Sequence, residues 1–152
     1  MNHSPENQPR SLLALDFGLR RIGIASGSCI TDTASALVTL EARDGKPNWD
    51  KLDKLVREWN PDILLLGLPT STSGEDTEMA ATVRNFADSL KSRYEIPVEF
   101  VDERYTSVEA EALLKEQRRL GIKSRRVQKA DIDSLAARLI AESWMRENKS
   151  RP

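Results

Sequence analysis

Four acidic residues stand where an apolar run gives out or a helix begins. Asp16 follows Leu12–Leu15, the pair Asp102-Glu103 follows Val98–Val101, and Asp133 lies near the start of DIDSLAARLIAESW. Carboxylates brought together repel one another, and the cluster is costly unless a cation neutralises it. Ligand sets made only of oxygen suit Mg²⁺ or Mn²⁺. Two such ions ~4 Å apart activate a water and stabilise the leaving oxygen of a phosphodiester. Each acid also has a plainer reading. Asp16 precedes Gly18 and can be a turn residue, Asp133 can favour the positive end of a helix dipole, and Asp102-Glu103 can pair with Arg104. Side chains alternate along a strand, so Val98, Phe100 and Asp102 share one face while Glu99, Val101 and Glu103 share the other. Helices can cover both faces, and both acids stay candidates. His3 is the one histidine and sits in a polar leader. A hydrolase here works without a histidine base, which is natural for metal-activated water and awkward for a Ser-His-Asp scheme.

The elements that must position these acids read as strands first and helices later. Leu12–Phe17 is a short buried strand, Gly18 permits a sharp turn, and Ile22–Ser26 resumes as a second strand. Ala34–Leu40 is the third, and together the three form an antiparallel meander. Leu52, Leu55, Val56 and Trp59 recur at helical spacing, with Asn48 as N-cap and Asn60-Pro61 as the stop. Ile63–Leu66 is the next strand. Met79, Val83, Phe86, Ala87 and Leu90 mark a longer helix, and Val98–Val101 is a further strand. Thr106 and Glu109 fit a capping box for a helix from Ser107 to about Arg118. Asp131 caps a last helix whose inner face is Ile132, Leu135, Ala136, Leu139, Ile140 and Ser143, with Trp144 beside it. The order β-β-β-α-β-α-β-α-α predicts an α/β fold, with parallel pairing in its second half. Sites in such sheets form beyond the carboxyl ends of the strands. If the first and last strands are neighbours, the acids converge there.

Composition narrows the class further. A chain of 152 residues favours one domain, here 11–147 between a disordered leader over 1–10 and a frayed tail over 148–152. Cys29 is the sole cysteine, which excludes an internal disulfide and a multi-cysteine zinc site. One thiol is ordinary for a reducing cytoplasm, and no apolar run approaches the ~20 residues that cross a bilayer. Charge is segregated. Residues 115–129 carry seven Lys/Arg against Glu116, a net of +6, which leaves −7 for the rest of a chain whose total is −1. Within that segment Lys123, Arg125, Arg126 and Lys129 can grip the phosphates of a nucleic acid.

Taken together, LALDFGLRRIGIASG, DILLLGLPTSTSG, FVDERYTSVEAEALL and DIDSLAARLIAESW resemble the YqgF/RuvX family, described as Holliday junction resolvases and as pre-16S rRNA processing nucleases. The resemblance runs from Leu12 to about Trp144. It implies an RNase H-like fold with a five-stranded mixed sheet flanked by helices, and metal-dependent phosphodiester hydrolysis. It puts the catalytic acids and metal ligands on Asp16, Asp133 and the DER block, with Glu103 preferred and Asp102 second. It places Arg20, Arg21 and Arg104 towards the substrate. Thr70-Ser71-Thr72-Ser73-Gly74 departs from relatives that often carry an asparagine and an acid before the glycine. The implied role is maturation of the 5′ end of pre-16S rRNA in the cytoplasm, by a monomer or weak homodimer. Junction resolution on branched DNA, which needs paired sites, and non-catalytic RNA binding are the alternatives.

Overall fold

The computed structural model describes residues 9–68, 78–102, 112 and 129–149. Six strands form one sheet in the order β4-β3-β2-β1-β5-β6. They are β1 (Ser11–Asp16), β2 (Arg21–Ser28), β3 (Thr33–Arg43), β4 (Lys46–Pro47), β5 (Ile63–Leu68) and β6 (Val98–Asp102). The helices are α1 (Trp49–Trp59), α2 (Glu78–Tyr94) and α3 (Lys129–Lys149). β1, β2 and β3 form the expected antiparallel meander. β1, β5 and β6 run parallel.

The sheet has six strands rather than five because the β3 hairpin folds back at Lys46–Pro47 and pairs with Ala42 and Arg43. A proline at that place needs no ladder hydrogen bond of its own, since β4 is an edge. A second correction concerns strand order: β5 lies between β1 and β6, so the first and last long strands are not neighbours. β3 also outruns the expected Ala34–Leu40, because backbone pairing with β2 carries its polar and exposed ends along. Likewise α3 begins at Lys129, ahead of the cap expected at Asp131; lysine and alanine are good helix formers. The helix expected from Ser107 to about Arg118 lies outside the described residues, apart from Ala112. Most of the expected leader and the end of the expected tail lie outside them too.

β1 reads as continuous apolar sequence because both its faces are covered. Leu13 and Leu15 join Ile22, Ile24, Leu64 and Leu66 against α1 and α2. Leu12 and Ala14 join Ile63, Leu65 and Val101 against Ile140, Ala141, Trp144 and Met145 of α3. Burying each such leucine or isoleucine is worth about 1.5–3 kcal/mol, so the two apolar layers fix which face of every strand meets which helix. α1 matches its expected span. The Asn48 side chain accepts from the Lys51 amide at 3.2 Å, and Asn60 closes the helix in the left-handed region at φ 43°.

α1 and α2 are pinned by a polar clamp. Arg93 donates twice to the Asp53 carboxylate at 2.8 Å, and the Tyr94 hydroxyl donates to it at 2.6 Å. The Arg93 guanidinium also lies 4.8 Å from the Trp49 ring centroid. The Arg93 and Tyr94 hydrogen bonds hold the Asp53 carboxyl well below the usual carboxylate range. Burial, and then the bond to Asp53, pushes the Tyr94 hydroxyl up.

Candidate active site

Parallel β1, β5 and β6 all end at the same edge of the sheet, where Leu68 of β5 stands beside Asp102 of β6. Asp16 is the last residue of β1 and is half-buried. Its orientation follows from Phe17, which is buried in the α1/α2 layer with its ring centroid 4.9 Å from that of Phe86. Alternation then turns Asp16, like Leu12 and Ala14, towards α3. β2 returns immediately beside it. The turn between them is tight: a Cβ on Gly18 would stand 2.6 Å from the Arg21 carbonyl oxygen. Hydrogen bonds hold the turn to the β3 hairpin, from the Ala42 amide to the Arg20 carbonyl at 2.8 Å and from the Gly45 amide to the Leu19 carbonyl at 2.9 Å.

Gly23 brings the last helix in. It is the residue directly opposite Asp16 across the β1–β2 ladder. Opposed residues in an antiparallel pair point to the same face, with Cα atoms about 4.5–5.5 Å apart. A Cβ on Gly23 would overlap the Asp133 carbonyl group and come within 2.8 Å of the Ser134 nitrogen. The backbone of α3 at Asp133 therefore rests on β2 at a position without a side chain, directly opposite Asp16. A glycine inside a strand pattern is the signal for such an approach, and reading the sequence for acids alone passes over it.

Asp133 is about three-quarters buried, and its Oδ2 accepts from Arg21 Nε at 2.8 Å. Arg21 opens β2 and shares the face of Gly23. One residue expected to meet nucleic acid thus holds one expected to bind metal. Arg20 is exposed in the turn. Asp102 ends β6 and is exposed; it shares the face of Val98, which packs on the α1/α2 layer, whereas Val101 faces α3. Glu103, Arg104, Lys123, Arg125 and Arg126 lie outside the described residues, as does the Lys129 side chain. Among the described residues no group of three or more His, Cys, Asp and Glu gathers as a metal cluster. Nor is any described helix long and apolar enough to cross a membrane.

RuvC of T. thermophilus in complex with a Holliday junction substrate superposes with a TM-score of 0.55 at 15% identity, covering 93% of this chain and 98% of that one. The Fowlpox virus resolvase with junction DNA gives 0.55 at 13%, covering 93% and 99%. These likenesses establish the fold, an RNase H-like mixed sheet flanked by helices. In sequence, a protein of Francisella tularensis subsp. holarctica named "Putative pre-16S rRNA nuclease" is 42% identical over 139 residues, which are 91% of this chain and 98% of that one. Its Francisella philomiragia counterpart is 43% identical over the same shares. The relatives and the family model define the class: a nuclease, hydrolysing phosphodiester bonds. The family model described as "RuvX: Holliday junction resolvase" matches residues 10–147. The chain belongs to the RuvX family.

Proposed function

We propose that this chain matures the 5′ end of pre-16S rRNA in the cytoplasm, as one domain over 11–147, with Asp16, Glu103 and Asp133 holding Mg²⁺ or Mn²⁺. The observation that carries the reading is the seat of α3 on Gly23, which sets Asp133 beside Asp16 on one face of the sheet. Glu103 is preferred to Asp102 because Asp102 shares the face that looks away from α3. The donors fit a hard divalent ion: they are carboxylate oxygens, and Asp133 already engages a cationic partner in Arg21. Divalent ions held there supply the Lewis acidity for phosphodiester hydrolysis.

The protein's own part is to orient and to grip. Phe17, locked under α2, fixes the direction of Asp16. α3 carries Asp133 on a rigid element rather than a loop. Arg20, with Arg104, Lys123, Arg125, Arg126 and Lys129, supplies positive charge to the phosphates on either side of the cut. The family description, Holliday junction resolvase, supports a second reading, cleavage of a four-way DNA junction; that reaction needs paired sites and so a weak homodimer, whereas RNA maturation needs only a monomer.

The test compares cleavage of a pre-16S 5′ fragment and of a four-way junction with Mg²⁺ or Mn²⁺. Asp16→Asn, Glu103→Gln and Asp133→Asn are each expected to abolish cleavage. Asp16→Asn should leave the Tm equal or raised, since it relieves repulsion between carboxylates. Asp133→Asn should lower it slightly, because the part-buried ion pair with Arg21, worth on the order of 1 kcal/mol, goes with it. Cleavage retained by all three variants removes the nuclease site from these residues. Junction cleavage without RNA cleavage assigns the second substrate.

A further inference from the structure

Arg21 and Asp133 stand 112 positions apart in the chain, yet they form an ion pair at 2.8 Å inside the proposed metal centre. Packing produces this pair. Arg21 and Gly23 share one face of β2, and Gly23 is where the α3 backbone at Asp133 meets the sheet. Helical side chains lean back towards the helix N-terminus, so Asp133 reaches from its seat towards the strand end that Arg21 occupies. Arg21 Nε thus occupies one of the two carboxylate oxygens of a residue proposed to bind metal.

We propose that Arg21 is a built-in competitor of the divalent ion at Asp133, so that metal binds by displacing its guanidinium. The inference rests on the reading of Asp133 as a metal ligand. Two features make the exchange feasible. The pair is partly open to water, with side-chain exposures of 37% for Arg21 and 24% for Asp133, and ion pairs of that kind hold weakly. The guanidinium also puts positive charge on the face of the sheet that Asp16 and Asp133 share, where it opposes repulsion between two carboxylates. Once displaced, a guanidinium has five donors in a fork that fits phosphate. Competition thereby reconciles the two expectations for Arg21, as a partner of nucleic acid and as a neighbour of the metal ligands.

The experiment uses the full chain labelled with ¹⁵N. The Arg21 Nε–H resonance, identified by its loss in Arg21→Gln, is followed while Mg²⁺ is added, and Mg²⁺ affinity is measured in parallel by calorimetry. The expected result is a change in that resonance with the same midpoint as Mg²⁺ binding. Arg21→Gln should bind Mg²⁺ about fivefold more tightly, the upper range for such a pair. Arg20→Gln removes the same charge from the same turn without touching Asp133, and should change the affinity less than about twofold. An Arg21 resonance unmoved at Mg²⁺ saturation overturns the competition. An equal gain in Arg20→Gln overturns it too, because plain repulsion then explains both. Absence of Mg²⁺ and Mn²⁺ binding in wild type and Arg21→Gln alike would instead remove the metal centre itself, and the competition with it.

Discussion

At the scale of the residue, the proposed site depends as much on an absent side chain as on the charged ones. Replacing a strand glycine by alanine ordinarily stabilises by about 0.4–1 kcal/mol, because the unfolded chain loses freedom. At Gly23 the added carbon would meet the backbone of α3 at Asp133 and Ser134, which cannot rotate aside. Gly23→Ala is therefore expected to cost about 1–3 kcal/mol, as overpacked positions do, and to lower the Tm by roughly 2–4 °C for each of those units. The helix must lift, and Asp133 lifts with it away from Asp16. A misplacement of about 1 Å costs on the order of 10²-fold in rate. Gly27→Ala is the control on the same strand. The three atoms nearest its Cβ would all belong to the Leu12 side chain, at 2.8 to 3.3 Å, so it should lower the Tm while cleavage stays within about tenfold. Equal cleavage losses in the two variants, measured with the Tm of each, would sever the link between the α3 seat and the chemistry.

At the scale of the element, α1 and α2 form a unit whose acid limit can be read from the Asp53 clamp. The clamp depresses the Asp53 carboxyl below its ordinary value of 3.8. A carboxyl depressed in the folded state stabilises fully above the unfolded value, and that stability is lost as pH falls from there through the folded one. Asp53→Asn should thus be less stable than wild type at pH 7, and the gap in Tm should close as the pH drops below 3.8. A gap that stays constant down to pH 2.5 would mean that the charge on Asp53 does not matter to the clamp. Elements with local signals were legible beforehand. α1 lies between Asn48 and Asn60-Pro61 as expected, since caps and prolines act over a few residues. The burial of β1 was legible as well, from its unbroken apolar run. Strand neighbours were not: Ile63–Leu66 read as a strand, but nothing within it says that it inserts between β1 and β6. The same gap hid the Arg21–Asp133 pair and the role of Gly23, because both arise only when α3 is laid across β2. The acids themselves were visible as strand-end and helix residues; the seat of Asp133 on the strand opposite Asp16 is a tertiary property.

For the molecule as a whole, charge decides where a polyanion can land. The net −7 outside residues 115–129 repels phosphate over most of the surface, while the +6 segment attracts it. That segment leads directly into α3, which begins at Lys129 and carries Asp133 on to Gly23. A strand gripped by the basic segment is therefore tethered, through a single helix, to the acids proposed to cut it. Electrostatic grip has a measurable signature, because each phosphate neutralised releases counterions and steepens the dependence of log K on log salt by about 0.7 for single strands and about 0.9 for a duplex. Asp16→Asn allows binding to be measured without cleavage. Adding Lys123→Gln, Arg125→Gln and Arg126→Gln to it should reduce the slope by about 2 on a single-stranded pre-rRNA end and by about 2.7 on a duplex, with the Tm unchanged. The size of the reduction then reports which form of nucleic acid the segment holds. Equal slopes with and without the three substitutions would place the grip elsewhere, and the exposed Arg20 in the β1–β2 turn would become the next residue to change.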